Sequence, residues 1–503
     1  MPSFASESAP EGGRSFGLNN DSSSPVKPQV EHRDTSPPEI SLIPSNEVLK
    51  NSREEEEEEE KEEEKKSGDS ILLQDDNENS AATATADTAA DADAAATRSY
   101  KPSSSDMLYY YERLLPFKSI FLWLNHSPVP NNDFINREFA FEFKSGAYQR
   151  YNSFSSYQDF KQQVVKSNPT RFEIGAIYTL PPNKRKVLSN SKNVLKPLEK
   201  ELVFDIDLTD YDEVRSCCSK TDICEKCWMF IDIAIEIVES GLKQDFGFKH
   251  LIWIFSGRRG IHCWVSDKNA RSLNDPQRRA IIEYFDISKE NVLRKPYHPL
   301  LEKSFNIIYN NKKNYFENFL KNQNIKNDFL IDKLKSYNTN ESQLLFNKQS
   351  ILELSNYLES NPNLSGFEKL SILEKFLPQS KSNINNKKLL QNLKDFKKDL
   401  VLFLLYPKLD LEVSKQTHHL LKSPFAVHPG TGNISIPIHI GFNPLTSALN
   451  LRDLINANEG LNKDNNTSLD LFQKSIATFD DFAKSIIKDE GVKKREAEDL
   501  LDF

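Results

Sequence analysis

Residues Glu201–Asp212 read ELVFDIDLTDYD, and this stretch decides the fold. Its apolar residues alternate with Asp205 and Asp207, and a period of two predicts a β-strand that buries apolar side chains. Glu201–Leu208 is the clearest strand of the chain, so the other elements are assigned outward from it.

The two aspartates leave the same face of this strand, about 7 Å apart along the backbone. Nucleotidyl transfer uses two divalent cations roughly 4 Å apart, and a carboxylate pair at this spacing can hold them. An isolated Asp-x-Asp is more often a solvated strand face, since many such carboxylates bind no cation. The strongly apolar residues around this pair favour the metal-binding interpretation.

Further strands are predicted on both sides of this one. After Arg137–Lys144 the chain turns at Ser145-Gly146 and returns through Tyr148–Arg150, which predicts a hairpin. Other strands are predicted at Phe172–Tyr178, Leu251–Phe255, Ile261–Val265, Lys408–Val413 and Asn433–Ile440, and helices at Met107–Leu124, Met229–Leu242 and Ser468–Leu501.

Between the two groups of strands, residues 275–406 are rich in Asn, Lys, Leu and Ile at helical spacing. This composition predicts a helical subdomain inserted into one α+β core with a mixed sheet. The first part of the core is then 106–274, and the second part is 407–503 with a C-terminal helix.

Residues 1–105 have a different character from the rest. They contain a glutamate run from Glu54 to Glu64, broken by Lys61, and an Ala/Thr/Asp tract from Ala81 to Thr97. With so little apolar area to bury, they are predicted to form a disordered acidic tail. The tail holds 24 acidic and 10 basic side chains, and the remaining 398 residues hold 50 and 55. This mildly basic body permits nucleic-acid binding without requiring it.

The sequence also indicates in which cellular compartment the protein is expected. No window reaches the eighteen or so consecutive apolar residues of a membrane-spanning helix, and the N-terminus lacks the pattern of a signal peptide. We therefore expect a soluble, intracellular protein that does not bind a membrane.

Four of the five cysteines lie within eleven residues, at Cys217, Cys218, Cys224 and Cys227. Four thiolates complete a tetrahedral zinc site with no open position, which predicts a structural rather than a catalytic metal. The Cys-x-x-Cys spacing in an intracellular protein fits zinc better than disulfides. Four reduced cysteines without a metal are the alternative.

A basic turn, Ser256-Gly257-Arg258-Arg259-Gly260, connects two predicted strands and is followed by His262. Its two guanidiniums and hydroxyl, with the imidazole, suit the oxygens of a triphosphate. A solvent-exposed Arg-Arg turn is the alternative. Lys422 and His428 supply a second basic set just before the turn Pro429–Gly432.

Four motifs together resemble the small subunit of eukaryotic DNA primases, within the archaeo-eukaryotic primase superfamily. They are ELVFDIDLTDYD, DICEKCW from Asp222, SGRRGIHCW from Ser256 and HLLKSPFAVHP from His419, in the order of that family. The resemblance extends over Met107–Ile440. It implies the primase catalytic fold and a DNA-directed RNA polymerase that starts short RNA primers on single-stranded DNA for replication, by two-metal nucleotidyl transfer.

The resemblance also implies roles for individual residues. It makes Asp205, Asp207 and Asp410 the ligands of catalytic Mg²⁺ or Mn²⁺, and the four cysteines the ligands of Zn²⁺. Asp410 rests on the resemblance alone, because Glu412 shares its face of the predicted strand. Positions implied in initiation or nucleotide binding are Glu138, Arg150, Ser256, Arg258, Arg259, His262, Lys422 and His428.

The sequence departs from that family at three positions. Lys408 stands where Arg is frequent, Gly430 where Lys is frequent, and Glu173 where an Asp near the ribose is frequent. None of them is a metal carboxylate.

By the same resemblance, we expect a heterodimer with the large primase subunit, assembled with DNA polymerase alpha and its accessory subunit in the nucleus. Single-stranded DNA template and ribonucleoside triphosphates are the expected ligands. Two alternatives stay open. One is a superfamily relative that extends primers with deoxynucleotides, and the other is a non-catalytic, zinc-containing subunit that only holds single-stranded DNA.

Overall fold

The structure is a computed structural model that describes residues 100–188, 194–287, 293–310, 313–337, 346, 348–376, 383–461 and 466–501. Most of the predicted tail, residues 1–99, lies outside the described residues. Its last residues, 100–105, are described and lead into the first helix. Ser103 caps the helix that begins at Ser104, and the Tyr100 hydroxyl donates to the carboxylate of Asp106 at 2.9 Å.

The strands of the described residues form two antiparallel sheets. The strands are β1 (Arg137–Glu142), β2 (Tyr148–Asn152), β3 (Arg171–Tyr178), β4 (Pro197–Glu199), β5 (Leu202–Asp207), β6 (Leu251–Phe255), β7 (Gly260–Val265), β8 (Leu421–Lys422) and β9 (Pro437–Ile438). The first sheet has the order β2-β1-β3-β4, with β8 also paired to β3, and the second has the order β5-β7-β6-β9. The predicted hairpin is confirmed as β1 and β2.

Helices make up most of the remaining described residues. They are α1 (Ser104–Arg113), α2 (Phe117–Asn125), α3 (Asn132–Ile135), α4 (Tyr157–Ser167), α5 (Arg185–Leu188), α6 (Glu225–Gln244), α7 (Lys268–Arg271), α8 (Asp275–Phe285), α9 (Pro299–Phe305), α10 (Tyr315–Asn322), α11 (Asn327–Tyr337), α12 (Lys348–Ser360), α13 (Gly366–Ile372), α14 (Asn383–Leu405), α15 (Glu412–Lys415), α16 (Pro444–Ser447), α17 (Leu451–Asn458) and α18 (Asn466–Leu501). None of the described helices has the length and apolar character to cross a membrane.

The predicted insertion is helical where the structure describes it. Residues 275–406 contain α8 to α14, and their described part holds no strand. That this segment forms a separate subdomain stays a prediction.

The α+β class is confirmed, but the predicted mixed sheet is wrong. Every strand pairing among the described residues is antiparallel. β5 and β6 do run in the same direction, as expected of strands joined through a helix such as α6. β7 lies between them, so each strand has only antiparallel neighbours.

The predicted strand Lys408–Val413 is also wrong. Its one pairing is an isolated bridge, in which the N–H of Asp410 donates to the carbonyl of Asp205 at 3.0 Å. The carboxylate of Asp410 then accepts the N–H of Glu412 at 3.0 Å, and α15 begins there. A side chain that satisfies a backbone donor in this way competes with strand pairing. Of the predicted strand Asn433–Ile440, only Pro437–Ile438 form a strand, β9, and Asn433 and Ile434 make isolated bridges.

A buried ion pair joins the two sheets. Arg137 on β1 donates to both carboxylate oxygens of Glu201, just before β5, at 2.7 and 3.0 Å. Burial alone would raise the pKa of Glu201, but Arg137 and then His126 hold it below its usual range. Removing one partner of a buried pair costs about 3–5 kcal/mol, because the other charge is left unpaired. The pair therefore fixes β5, with its two aspartates, against the first sheet.

Candidate active site and cysteine cluster

Three carboxylates meet at β5. Asp205 lies opposite His262 on β7 and is bridged on its other side to Asp410. Burial, and then the carboxylates of Asp410 and Asp207, raise the pKa of Asp205 to about 7. The structure thus brings together the three aspartates that the sequence singled out, although their role as metal ligands stays a prediction.

The negative charge of this cluster is only partly compensated. Asp210, three residues after Asp207, belongs to it as well, because burial and then Asp207 and Asp410 raise its pKa. Divalent Mg²⁺ and Mn²⁺ prefer carboxylate oxygens, and a bound cation relieves this kind of repulsion. The donor set therefore fits such a cation. Asp210 was missed, although it stands in the motif that decides the fold.

The basic turn donates hydrogen bonds to the carboxylate of Asp207. The Nε of Arg259 donates to its two oxygens at 2.7 and 2.9 Å. Thr209 donates its N–H and its hydroxyl to one of the same oxygens, each at 2.9 Å. A cation or a triphosphate that enters this site competes with the ion pair between Asp207 and Arg259.

The position of Asp410 depends on a tyrosine of the turn that follows Asp207. The N–H of Lys408, two residues before Asp410, donates to the hydroxyl of Tyr211 at 3.0 Å. Tyr211 is fully buried and packs on Phe230 with the ring centroids 5.0 Å apart. The segment that follows the first two aspartates therefore helps to fix the third. Only the place of Tyr211 in the same motif could have signalled this role.

The two basic sets of the sequence form one site. The ammonium of Lys422 donates to the carbonyl of Ser256. Gly257 has a φ of +89°, and a Cβ there would lie 2.7 Å from the Cβ of His428, so glycine permits this close approach. The hydroxyl of Thr431 also donates to the carbonyl of Gly257, at 2.8 Å. The turn after β6 and the loop after β8 thus pack directly on each other.

The two imidazoles of this site are neutral at neutral pH. Burial and then Lys422 lower the pKa of His262 to about 3, and burial, Lys422 and Arg258 lower that of His428 to about 3. Burial and then Arg171 lower the pKa of Lys422 to about 8. The positive charge of this site therefore comes from the guanidiniums and the ammonium. The Nδ1 of His262 is buried without a hydrogen-bond partner among the described residues.

Arg171 on β3 is a further cation that sequence reasoning missed. It lowers the pKa of both Lys422 and His428, so it lies in the same electrostatic site. It also pairs with Glu173 at 3.1 Å, and Glu173 accepts the hydroxyl of Tyr148 at 2.6 Å. The signal in the sequence was its spacing of two from Glu173, which places both on one face of β3.

Glu138 and Arg150 are brought together, but Glu138 is not exposed. Its side chain is fully buried and accepts bonds from Arg150 at 3.0 Å, the N–H of Tyr151 at 3.1 Å and the hydroxyl of Tyr178 at 2.9 Å. Arg150 also donates to the carbonyl of His418 at 3.1 Å. Glu138 therefore orients Arg150, which is the member of the pair that reaches the surface.

A cavity of about 270 Å³ opens beside the acidic cluster. Asp210, Lys408 and Leu409 line it from the core, and Phe329 and Lys333 line it from the helical insertion. The segments that carry the acids thus border a cleft whose other wall is the insertion.

The four cysteines converge on one point. Their sulfur atoms lie within 4.8 Å of one another. In a tetrahedral site with zinc–sulfur bonds of about 2.3 Å, sulfurs lie roughly 3.8 Å apart, so these thiols fit zinc after a small movement. In the described ranges, no other group of three or more His, Cys, Asp or Glu side chains converges in this way. The aspartates, by contrast, have to draw closer around a cation.

The comparisons with known proteins agree with the four motifs. The family model "DNA primase small subunit" matches residues 204–440. The DNA primase small subunit of Saccharomyces cerevisiae is 47% identical over 407 residues, which cover 79% of this chain and 96% of that protein. The DNA primase small subunit of Schizosaccharomyces pombe is 42% identical over 355 residues, which cover 68% of this chain and 75% of that protein.

Among solved structures, the polymerase domain of Mycobacterium tuberculosis ligase D in complex with DNA is similar at a TM-score of 0.32 and 11% identity. That match covers 73% of this chain and 91% of the other.

These relationships define the class of the protein as a DNA primase, a nucleotidyltransferase. Within that class, the chain belongs to the family of DNA primase small subunits, because it covers nearly the whole length of a relative at 47% identity.

Proposed function

We propose that this chain is a catalytic subunit that synthesises short RNA primers de novo on single-stranded DNA for replication. The observation that carries the proposal is the meeting of Asp205, Asp207 and Asp410 beside one basic site. A subunit that only held DNA would have no use for carboxylates placed so that burial, and then their mutual repulsion, raise the pKa of Asp205 to about 7. Such an arrangement is costly unless it serves a cation site.

The three aspartates would hold two Mg²⁺ or Mn²⁺ ions. When bound, these ions supply charge stabilisation for the attacking 3′-oxygen and the departing pyrophosphate. The protein positions the triphosphate for in-line attack on its α-phosphate. The residues proposed for this are Ser256, Arg258, Arg259, His262, Lys422 and His428.

The pairing of Arg259 with Asp207 couples the binding of nucleotide to the binding of the cation. The Nε of Arg259 contacts the carboxylate of Asp207 at 2.7 Å, and a triphosphate that draws this guanidinium toward itself weakens that contact. The departure of Arg259 frees an oxygen of Asp207 for a cation. Nucleotide and cation therefore enter together at less cost than either alone.

Arg150 is proposed as the contact to the initiating nucleotide, oriented by Glu138. Arg150 donates to the carboxylate of Glu138 and to the carbonyl of His418, and its side chain stays 26% exposed. The cysteine cluster is proposed to hold one structural Zn²⁺, which pins the loop that follows the catalytic strand.

The word "small" in the names of the relatives supports a complex with a large primase subunit. We extend this to DNA polymerase alpha and its accessory subunit, and to a nuclear location. These partners follow from the family and not from a surface of this chain.

Supplying purified chain with unprimed single-stranded DNA and one nucleotide type at a time tests the proposal. Dinucleotide formed with ribonucleotides, and not with deoxynucleotides, is expected, in the presence and absence of the large subunit. Extension of preformed primers with deoxynucleotides alone would instead identify a primer-extending relative. DNA binding without dinucleotide formation and without primer extension would identify a non-catalytic subunit.

A further inference from the structure

Gln323 follows helix α10 of the insertion and reaches into the cysteine loop. Its Nε2 donates to the sulfur of Cys217 at 2.9 Å and to the carbonyl of Lys226 at 3.0 Å. Its Oε1 accepts the N–H of Ser216 at 2.8 Å and that of Cys217 at 3.1 Å. The side chain is 5% exposed, so water does not compete for these bonds.

These bonds involve both halves of the cysteine cluster. Cys217 belongs to the first pair of cysteines, and Lys226 lies between Cys224 and Cys227 of the second pair. A primary amide has two donor hydrogens and one acceptor oxygen, and all of them are used here. Neither a carboxylate nor an apolar side chain of the same length can make this set of bonds.

Neighbouring residues extend the contact between the insertion and the loop. The N–H of Asn324 donates to the hydroxyl of Ser216 at 2.8 Å, and the ammonium of Lys326 donates to the carbonyl of Asp212 at 2.5 Å. Asp212 is five residues after Asp207, so this contact lies close in sequence to the proposed catalytic strand.

Arg215 closes the same loop from within. It is fully buried and donates to the carbonyls of Lys220 and Asp222 at 2.8 and 2.9 Å. It also lies 3.9 Å from the sulfur of Cys227. Arg215 also pairs with the carboxylate of Asp212 at 2.6 Å, so it holds the start of this loop to the turn around Lys220.

We propose that Gln323 is a positioning residue for the four-cysteine site, and that metal binding there fastens helices α10 and α11 of the insertion to the catalytic core. Partners that hydrogen-bond a metal ligand fix its orientation and strengthen metal binding. Because Gln323 belongs to the insertion, the metal and the docked insertion stabilise each other. The proposal rests on the proposed zinc occupancy of the cluster.

Two substitutions separate the parts of this contact. Gln323→Met keeps the length of the side chain but loses every hydrogen bond. Gln323→Glu keeps an acceptor for Ser216 and Cys217 but replaces the donor to sulfur with a negative oxygen. Lys369→Met is the control, since its buried ammonium donates to the carbonyl of Ile325 at 2.7 Å, within the insertion. This substitution weakens the same region of the insertion but changes no bond to the cysteine loop.

Zinc release to a chromogenic chelator and hydrogen exchange of residues 315–337 are measured on the full chain. Both Gln323 variants are expected to release zinc about tenfold faster than the unmodified chain. Lys369→Met is expected to speed hydrogen exchange only locally, around Ile325 and in α13, while α10 stays docked through Gln323, so zinc release should keep its original rate. Removing zinc from the unmodified chain is expected to speed exchange in 315–337.

Replacing zinc with cobalt gives an absorption spectrum that reports on the metal ligands. A general loss of stability does not shift this spectrum. Loss of the N–H to sulfur bond is expected to shift the thiolate-to-cobalt absorption of Gln323→Met to longer wavelength, and Lys369→Met should leave it in place. Zinc release from Gln323→Met at the unmodified rate would overturn the proposal. So would equal acceleration by Lys369→Met, or a chain that carries no metal. Primer synthesis by the unmodified chain reports separately on the proposed function.

Discussion

The cysteine cluster and the aspartate cluster are both candidate metal sites, yet the chain builds them in different ways. The four cysteines come from one stretch of eleven residues, and their sulfurs already lie within 4.8 Å of one another. The aspartates come from β5 and from a segment about 200 residues later. They repel one another, and one of them, Asp207, accepts hydrogen bonds from Arg259.

This difference matches the roles proposed for the two sites. A structural metal contributes to folding, and ligands that are neighbours along the chain and lie close together in space suit this role. A catalytic cation has to enter with its substrate, so its ligands are held apart under electrostatic stress. Removing one ligand should therefore have opposite effects on stability at the two sites.

The largest effect is expected at the aspartates. Asp410→Asn should reduce dinucleotide synthesis at least about a hundredfold, or roughly 3 kcal/mol of barrier, because a carboxylate of the two-metal site is lost. Its melting temperature in metal-free buffer should stay the same or rise, since less charge then faces Asp205. Primer synthesis and thermal melting measure the two results.

Glu412→Gln is the matched control for Asp410→Asn. Glu412 lies two residues away, is exposed and pairs with Lys415 at 2.6 Å, so its loss should change neither activity nor stability much. An inactive Glu412 variant beside an active Asp410 variant would show that the wrong acid was assigned.

The cysteine cluster should respond in the opposite direction. Cys224→Ser is expected to lose its zinc and to melt at least about 5 °C lower, since the metal contributes folding energy. Elemental analysis should find about one zinc in the unmodified chain. Cys263→Ala is the control, because it removes a buried cysteine of β7 outside the cluster and should keep the zinc. A zinc-free Cys224→Ser of full stability would refute the structural role.

The basic turn should affect nucleotide binding more than DNA binding. Arg259→Ala is expected to raise the KM for nucleotide by about tenfold, because a charged partner of the triphosphate is lost. His262→Ala is expected to raise it less, because the imidazole is neutral and only a hydrogen-bonding partner is lost. Anisotropy of labelled single-stranded DNA should change little. Arg279→Ala removes the same charge from the exposed face of α8 and should alter neither. A collapse of DNA affinity with an unchanged KM would assign the turn to the DNA groove.

The smallest effect is a pH dependence in metal-free buffer. The pKa of Asp205 is raised from 3.8 to about 7. Between these values the folded chain binds a proton that the unfolded chain releases, so stability falls as pH rises and levels off above about 7. Asp205→Asn should therefore melt a few degrees higher than the unmodified chain at pH 8. The gain should shrink toward pH 5, and a gain of equal size at both pH values would contradict the raised pKa.

The sequence predicted those parts of the fold that depend on local pattern. β5, β7 and the β1–β2 hairpin follow from a period of 2 in apolar residues, and β6 follows from a continuous apolar run. Helices α1, α2, α6 and α18 follow from a period of 3.6. The cysteine cluster could be predicted equally well from the sequence, because its members are neighbours along the chain.

What the sequence could not supply are contacts between distant segments. The extended segment around Asp410 alternates like a strand, but the competing bond from its carboxylate to the N–H of Glu412 starts a helix. The prediction of one mixed sheet was wrong because β7 lies between β5 and β6. The contacts of Tyr211 with Lys408 and of Gln323 with Cys217 join residues 197 and 106 positions apart, which no local period records.

A Mn²⁺ titration of the zinc-loaded chain, followed by electron paramagnetic resonance, tests most directly whether the three aspartates form a catalytic cation site. It needs neither template nor nucleotide. We expect Mn²⁺ to bind the unmodified chain and Glu412→Gln alike, and Asp410→Asn at least about tenfold more weakly. Equal Mn²⁺ affinity in the Asp410→Asn variant and the unmodified chain would contradict the assignment of this site.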